Sequence, residues 1–152
     1  MMIDPTEDLE LEPVKGLGYH YMARDLKTLA ERGGAGELNA VAHGYRVEVN
    51  ILSSDKFVVR CEWATGFAEM QIRVVVNSVN PDLRHAERTV SLYDSSERLK
   101  AQRRLPDIKL KTDGENPTAF IEGPYEDRRL TDPELVDALT QPVLDAYKHS
   151  KQ

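Results

Sequence analysis

The sequence predicts an α+β domain: an antiparallel sheet of about five strands packed against helices, in the order α-β-β-β-α-β-β-α. Three observations carry that expectation. Tyr45, Val47, Val49 and Ile51 alternate with polar residues; Phe57, Val59, Cys61 and Trp63 repeat the alternation, and Met70, Ile72, Val74 and Val76 repeat it again. An apolar period of two marks a strand with one buried face, and short turns between such runs read as a meander with an apolar side and a wet side. Helical periodicity flanks the three runs, which supplies cover for the apolar side.

Along the chain, residues 1–12 hold Asp4, Glu7, Asp8, Glu10 and Glu12 with no base. They read as a mobile acidic arm (residues 1–18), either a solvated terminus or a docking tail for a basic partner, ahead of one domain over 19–150. Met22, Leu26, Leu29 and Ala30 recur at helical spacing from Tyr19 to Arg32, and Gly33-Gly34 supply a stop. Residues 35–43 have no clear period. Strands are expected near 44–52, 56–65 and 67–76, with turns at Ser53-Ser54-Asp55 and Thr65-Gly66. Val74-Val75-Val76 is apolar on both faces, so the third strand is the candidate for a central place or for cover on both sides.

Pro81 cannot extend a ladder. Leu83, Ala86 and Val90 then fit a helix, Ser95-Ser96-Glu97 resembles a second helix start, and 81–105 reads as mostly helical, with a short strand at Thr89–Tyr93 as the alternative. Ile108 and Leu110 alternate with lysines, and Ala119 and Ile121 alternate after the turn-rich Thr112–Pro117; together they predict a hairpin. Thr131-Asp132-Pro133-Glu134 is a capping box with proline in the first turn. Leu135, Leu139, Val143 and Tyr147 follow on one face, beside Val136 and Leu144. Pro142 should kink or divide this last helix, because it removes a hydrogen bond and clashes with the preceding turn.

Bulk properties narrow the function. At 152 residues one domain is the default, able to bury roughly 68–70% of its unfolded surface. Apolar residues make up 40% and charged residues 30%, and the intact periodicity argues for a folded chain. A net charge of -6 argues against a general phosphate-backbone binder, which needs surplus Lys and Arg. No apolar run approaches the roughly 20 residues of a membrane span, and no basic start leads into an apolar stretch, so neither a membrane helix nor a secretory signal is expected. The single cysteine precludes an internal disulfide. The cytoplasm is the expected home.

Chemistry-bearing residues are scattered. Cys61 shares the apolar face with Val59 and Trp63, and reads as a small buried hydrophobe rather than a nucleophile. His20, His43, His85 and His149 lie singly, at no metal-ligand spacing, so neither metal nor cofactor is expected. Gly33-Gly34-Ala35-Gly36 lacks the Lys-Ser/Thr of a phosphate loop. No pair of carboxylates and no serine stands out as catalytic. Trp63, Phe57 and Phe67 read as core, or as an apolar binding patch if the helices leave the sheet bare. Arg98, Lys100, Arg103, Arg104, Lys109 and Lys111 stand against Asp107 alone. They form either a local patch for an acidic partner or nucleic acid, or a solvated face paired with nearby acids; aromatics for base stacking are not interleaved.

The expected element order, the size, the acidity and the amphipathic C-terminal helix from Leu135 to Tyr147 resemble the small acidic chaperones of bacterial type III secretion and the related secretion-chaperone-like regulators. That resemblance implies a homodimer formed through a helix within 77–105 and an effector-like or regulatory protein partner. From the residues alone, the leading function is a non-enzymatic protein-binding module whose partner binds an exposed sheet edge or an apolar groove between sheet and helix. Arg98, Lys100, Arg103, Arg104, Leu135, Leu139, Val143 and Tyr147 are the candidate contacts. An inhibitor or immunity-type protein shielding a basic site, and a small enzyme with a site assembled only in the fold, are the alternatives. A deep polar pocket with two convergent titratable groups would favour the enzyme.

Overall fold

A computed structural model of the chain describes residues 23–35, 44–111 and 118–150. Helix α1 (Ala23–Ala35) precedes seven strands: β1 (Tyr45–Ile51), β2 (Lys56–Trp63), β3 (Gly66–Val76), β4 (Leu83–Asp94), β5 (Leu99–Lys111), β6 (Thr118–Ile121) and β7 (Arg128–Leu130). Helix α2 (Asp132–Ser150) follows. The strands form one antiparallel sheet in chain order from β1 to β7. The sheet curls into a half-barrel, with both helices packed against one face and against each other.

The register explains the core. Val49 faces Val59, which faces Met70, which faces Val90, which faces Arg103. A parallel row runs Ile51, Phe57, Ile72, Arg88, Leu105. Each row lies on the inner face, because residues directly opposite in a ladder share a side. Phe57, Val59, Cys61, Met70 and Ile72 are fully buried there, each large aliphatic or aromatic side chain contributing about 1.5–3 kcal/mol by leaving water. Helix α1 lays Ala23, Leu26, Leu29 and Ala30 onto this face and keeps the Lys27–Glu31 ion pair outside. Helix α2 adds Leu135, Leu139 and Val143, and its Tyr147 ring packs 4.7 Å from Tyr45 and 5.2 Å from Trp63.

The capping box closes as expected. Thr131 N–H donates to Glu134 Oε1 at 3.0 Å, and Glu134 N–H donates to Thr131 Oγ1 at 3.3 Å. The bond from Thr131 and the Arg128 guanidinium at 2.7 Å hold the Glu134 carboxyl down at about 2, well below its ordinary range.

Three expectations change. The sheet has seven strands and not about five, and residues 81–105 are not helical. They are most of the long hairpin β4–β5, which absorbs the expected short strands at Thr89–Tyr93 and at Ile108. The supposed helix start at Ser95-Ser96-Glu97 is the hairpin turn. Asp94 Oδ1 accepts the N–H groups of Ser96 and Arg98 at 2.9 and 3.0 Å, and Glu97 takes a left-handed backbone with φ 63°. A short carboxylate that satisfies local N–H groups makes a turn as readily as a helix cap. Gly66 makes room for the end of this hairpin, since a Cβ there would stand 2.3 Å from the Tyr93 carbonyl oxygen. The helix within 77–105 that the secretion-chaperone resemblance implies for dimerisation is therefore not present; those residues are strand and turn.

Smaller differences follow. Gly33 and Gly34 lie within α1, which runs to Ala35. Pro142 does not divide α2, which continues as one helix to Ser150. β7 has no counterpart in the expected order. Phe67 is buried, as expected, but on the outer face, stacked 4.7 Å from Tyr93 beneath the Arg60 guanidinium and apart from the cluster around Phe57. The acidic arm 1–18, residues 35–43 (apart from Ala35 at the end of α1) and the turn Thr112–Pro117 lie outside the described residues. Among the described residues no helix is long and apolar enough to cross a membrane.

Candidate functional site

The site begins with a mismatch of lengths. β5 is 13 residues long, but β6 pairs with it only at Ile108–Lys111. Among the described residues no strand lies along the outer edge of Leu99–Pro106. The inner face beside this bare edge carries Val90 and Leu92 from β4, with Ala101, Arg103 and Leu105 from β5. Pro142, Asp145, Ala146 and His149 of α2 form the facing wall. Between the walls is an open groove of about 580 Å³, within the roughly 300–1,000 Å³ usual for binding clefts.

Arg88 sits at the base of the groove and is only 3% exposed. Two prolines account for its position. The β4–β5 register jumps from Ala86–Ile108 to Arg88–Leu105, so Pro106 and Asp107 bulge opposite Glu87. Proline has no N–H to give a ladder, and a bulge is where a strand tolerates it. Across the groove, Pro142 cannot donate to the carbonyl four residues earlier, which leaves Ala138 without a helical partner. Arg88 serves both places. Its Nε and Nη2 donate to the Pro106 oxygen at 3.2 and 2.7 Å, and its Nη1 donates to the Ala138 oxygen at 3.0 Å. These bonds use three of the five N–H groups of a guanidinium. Burial among apolar side chains brings Arg88 down to about 10, partly offset by the Asp107 charge, so it is still cationic at neutral pH.

The expected contact residues separate into two groups. Leu135, Leu139, Val143 and Tyr147 are buried; they hold α2 on the sheet and present no outer surface. Arg98, Lys100, Arg103 and Arg104 are exposed at or beside the bare edge. Arg98 lies in the turn, Lys100 in a second bulge between the Leu92–Ala101 and Tyr93–Leu99 pairs, Arg103 on the inner face and Arg104 on the outer. Arg104 is engaged by Asp107 at 3.0 Å and Glu87 at 3.5 Å. Among the described residues Arg98, Lys100 and Arg103 form no close ion pair, although the Asp94 carboxylate at the turn is stabilised by the Arg98 and Lys100 charges.

The bases of 98–111 do not form one uninterrupted face. Lys109 is held by Asp127 at 3.0 Å and Glu122 at 3.9 Å, and Lys111 lies over the Phe120 ring. On the outer face His85 Nδ1 stands 3.5 Å from Asp107, which Arg104 shares. Among the described residues no hydroxyl or thiol bonds to that imidazole. Cys61 is fully buried.

Sequence reasoning passed over Arg88. Two signals could have found it: an arginine in the inward register of Ala86, Val90 and Leu92, and a proline four residues after a helical carbonyl. No protein-family model, no curated protein and no solved structure matches the chain.

Proposed function

We propose that this protein is a non-enzymatic protein-binding module, and that its partner adds an extended segment to the bare edge of β5 while placing side chains in the groove beneath α2. One observation carries the reading: among the described residues the outer edge of Leu99–Pro106 has no strand beside it, while the adjoining inner face is apolar and open. Free main-chain groups supply affinity to an added strand, and pockets for alternate side chains supply selectivity. The titratable groups of the groove, Arg88, Arg103, Asp145 and His149, do not pair with one another; Arg88 is occupied by carbonyl oxygens and Asp145 by Gln141 at 3.0 Å. That favours recognition over proton transfer. An escort, adaptor or regulatory role toward another protein is the biological form of this activity.

Site-specific photo-crosslinking tests the proposal. A photoreactive residue at Gln102, in cells that naturally contain the protein, should trap a single protein species. The same group at the exposed Asn50 of β1 should not, and Arg103→Glu should abolish the adduct. The trapped protein should then bind the purified module. Equal labelling at both positions, or binding indifferent to Arg103→Glu, would remove the β5 edge from the function.

A further inference from the structure

Docking along the β5 edge has an electrostatic condition. The two bulges leave one uninterrupted stretch, Ala101–Leu105, which pairs residue for residue with β4 from Leu92 to Arg88. Pro106 beside it has no N–H to give an added strand, so the stretch offers five residues of ladder. Ala101, Arg103 and Leu105 point inward from it, and Gln102 and Arg104 outward. Arg103 differs from the cations around it. Arg88, at the groove base, gives its N–H groups to the Pro106 and Ala138 oxygens. Arg104 is held by Asp107 and Glu87, and Arg98 lies beside the Asp94 carboxylate. Among the described residues Arg103 has no hydrogen bond, ion pair or ring contact. It is exposed, so water solvates it while the groove is open. A strand laid on the edge would exclude that water, and a charge taken out of water without compensation is costly. The occupant must bring the counter-charge.

We propose that the partner segment carries an acidic residue opposite Arg103 and an apolar residue two positions to either side, in the pattern apolar–x–Asp/Glu–x–apolar. This deepens the edge-docking reading above and rests on it. Residues directly opposite in a ladder stand about 4.5–5.5 Å apart at Cβ, which lets a carboxylate reach a guanidinium. Positions two residues away share that side of the strand and there face Ala101 and Leu105. The small Ala101 leaves room for a bulky side chain to extend into the groove toward Leu92 and Ala146. Asp145 on the facing wall repels an acid that reaches across, which keeps the carboxylate on the β5 side; His149 beside it adds no negative charge. A basic residue at the central position would meet like charge. The two intervening residues face outward, where Arg104 is already engaged, so they carry little of the selectivity. The pattern reads the same in both directions, so it holds for a parallel or an antiparallel addition.

Panning a phage-displayed library of random dodecapeptides on the immobilised full chain tests this separately from the crosslinking. Native protein should enrich the apolar–x–acid–x–apolar pattern. Arg103→Glu should exchange the central acid for Lys or Arg and keep the apolar flanks, whereas Arg98→Glu should leave the pattern unchanged. Arg103→Gln, a milder change, should lose the preference at the centre and nothing else. Thermal melting checks that each variant is folded. One enriched peptide is then made synthetically and measured by fluorescence anisotropy. Replacing its central acid by the amide should weaken binding to native protein about tenfold and binding to Arg103→Gln by under about twofold. Enriched peptides without a central acid, or an acid preference that survives Arg103→Glu, would overturn the proposal and leave the edge reading standing. No enrichment of any peptide would remove both.

Discussion

The hairpins β2–β3 and β4–β5 are built alike and covered differently. β2–β3 lies under both helices, and inward side chains such as Phe57, Met70 and Ile72 are fully buried. The outer half of β4–β5 runs past that cover, and every residue from Leu99 to Arg104 is exposed. Following one inner row across the sheet makes the change visible: Val49, Val59, Met70, Val90, Arg103. The hydrophobic row ends in a cation where helical cover stops. Stability is thus concentrated in β2–β3, and surface available for recognition in β4–β5.

The contrast can be broken experimentally, starting with the largest effect. Phe57→Ala should cost about 3–5 kcal/mol by chemical denaturation, as expected for a fully buried aromatic, while Leu92→Ala, half-buried at the groove, should cost under about 1.5 kcal/mol. Equal losses would mean that the groove is as tightly packed as the core. Arg88→Met should cost about 2–4 kcal/mol, because it orphans the buried Pro106 and Ala138 carbonyls at about 1–3 kcal/mol each. Pro142→Ala restores a donor to Ala138, so it should stabilise the Arg88→Met protein more than the native one; a double-mutant cycle reads the coupling. Thr131→Ala should cost about 0.5–2 kcal/mol by removing the α2 cap.

The Glu134 carboxyl gives a pH signature. Its pKa falls from 4.5 to about 2 in the folded protein, so the stability it contributes is complete above pH 4.5 and is lost as pH drops from there toward 2. Glu134→Gln should flatten the acid limb of a stability-versus-pH curve in that window. The smallest stability change is expected at Arg103→Glu, within about 0.5 kcal/mol, although crosslinking at Gln102 should disappear. A large loss of stability there would move Arg103 from recognition to structure.

The same contrast explains what could be read from the residues. In β1 to β3 a helix-covered face requires apolar side chains at every second position, and Tyr45 through Val76 display that period with polar residues between. The capping box at Thr131 was equally legible, because its two hydrogen bonds are local. In β4–β5 the period is masked. Arg88 and Arg103 occupy inward positions, and Leu83, Ala86 and Val90 happen to fall at helical spacing. Asp94 and two serines imitate a helix start while closing a turn. The bare edge was not visible in the residues either, since it follows from the unequal lengths of β5 and β6. Four charged candidates changed their setting: Arg98, Lys100, Arg103 and Arg104 were expected on a helix and lie at the turn end of a hairpin. The apolar candidates on α2 were recognised as one face, but a face already committed to the core.

Strand order that follows chain order has a kinetic consequence. Each ladder joins segments adjacent in sequence, so the entropy of closing each connection is small and the sheet can zip from any hairpin outward. The packing of α1 on α2 joins opposite ends of the chain and closes the longest loop. Refolding should therefore show early strand formation and late burial of Tyr147, with docking of the last helix setting the rate at which the molecule closes.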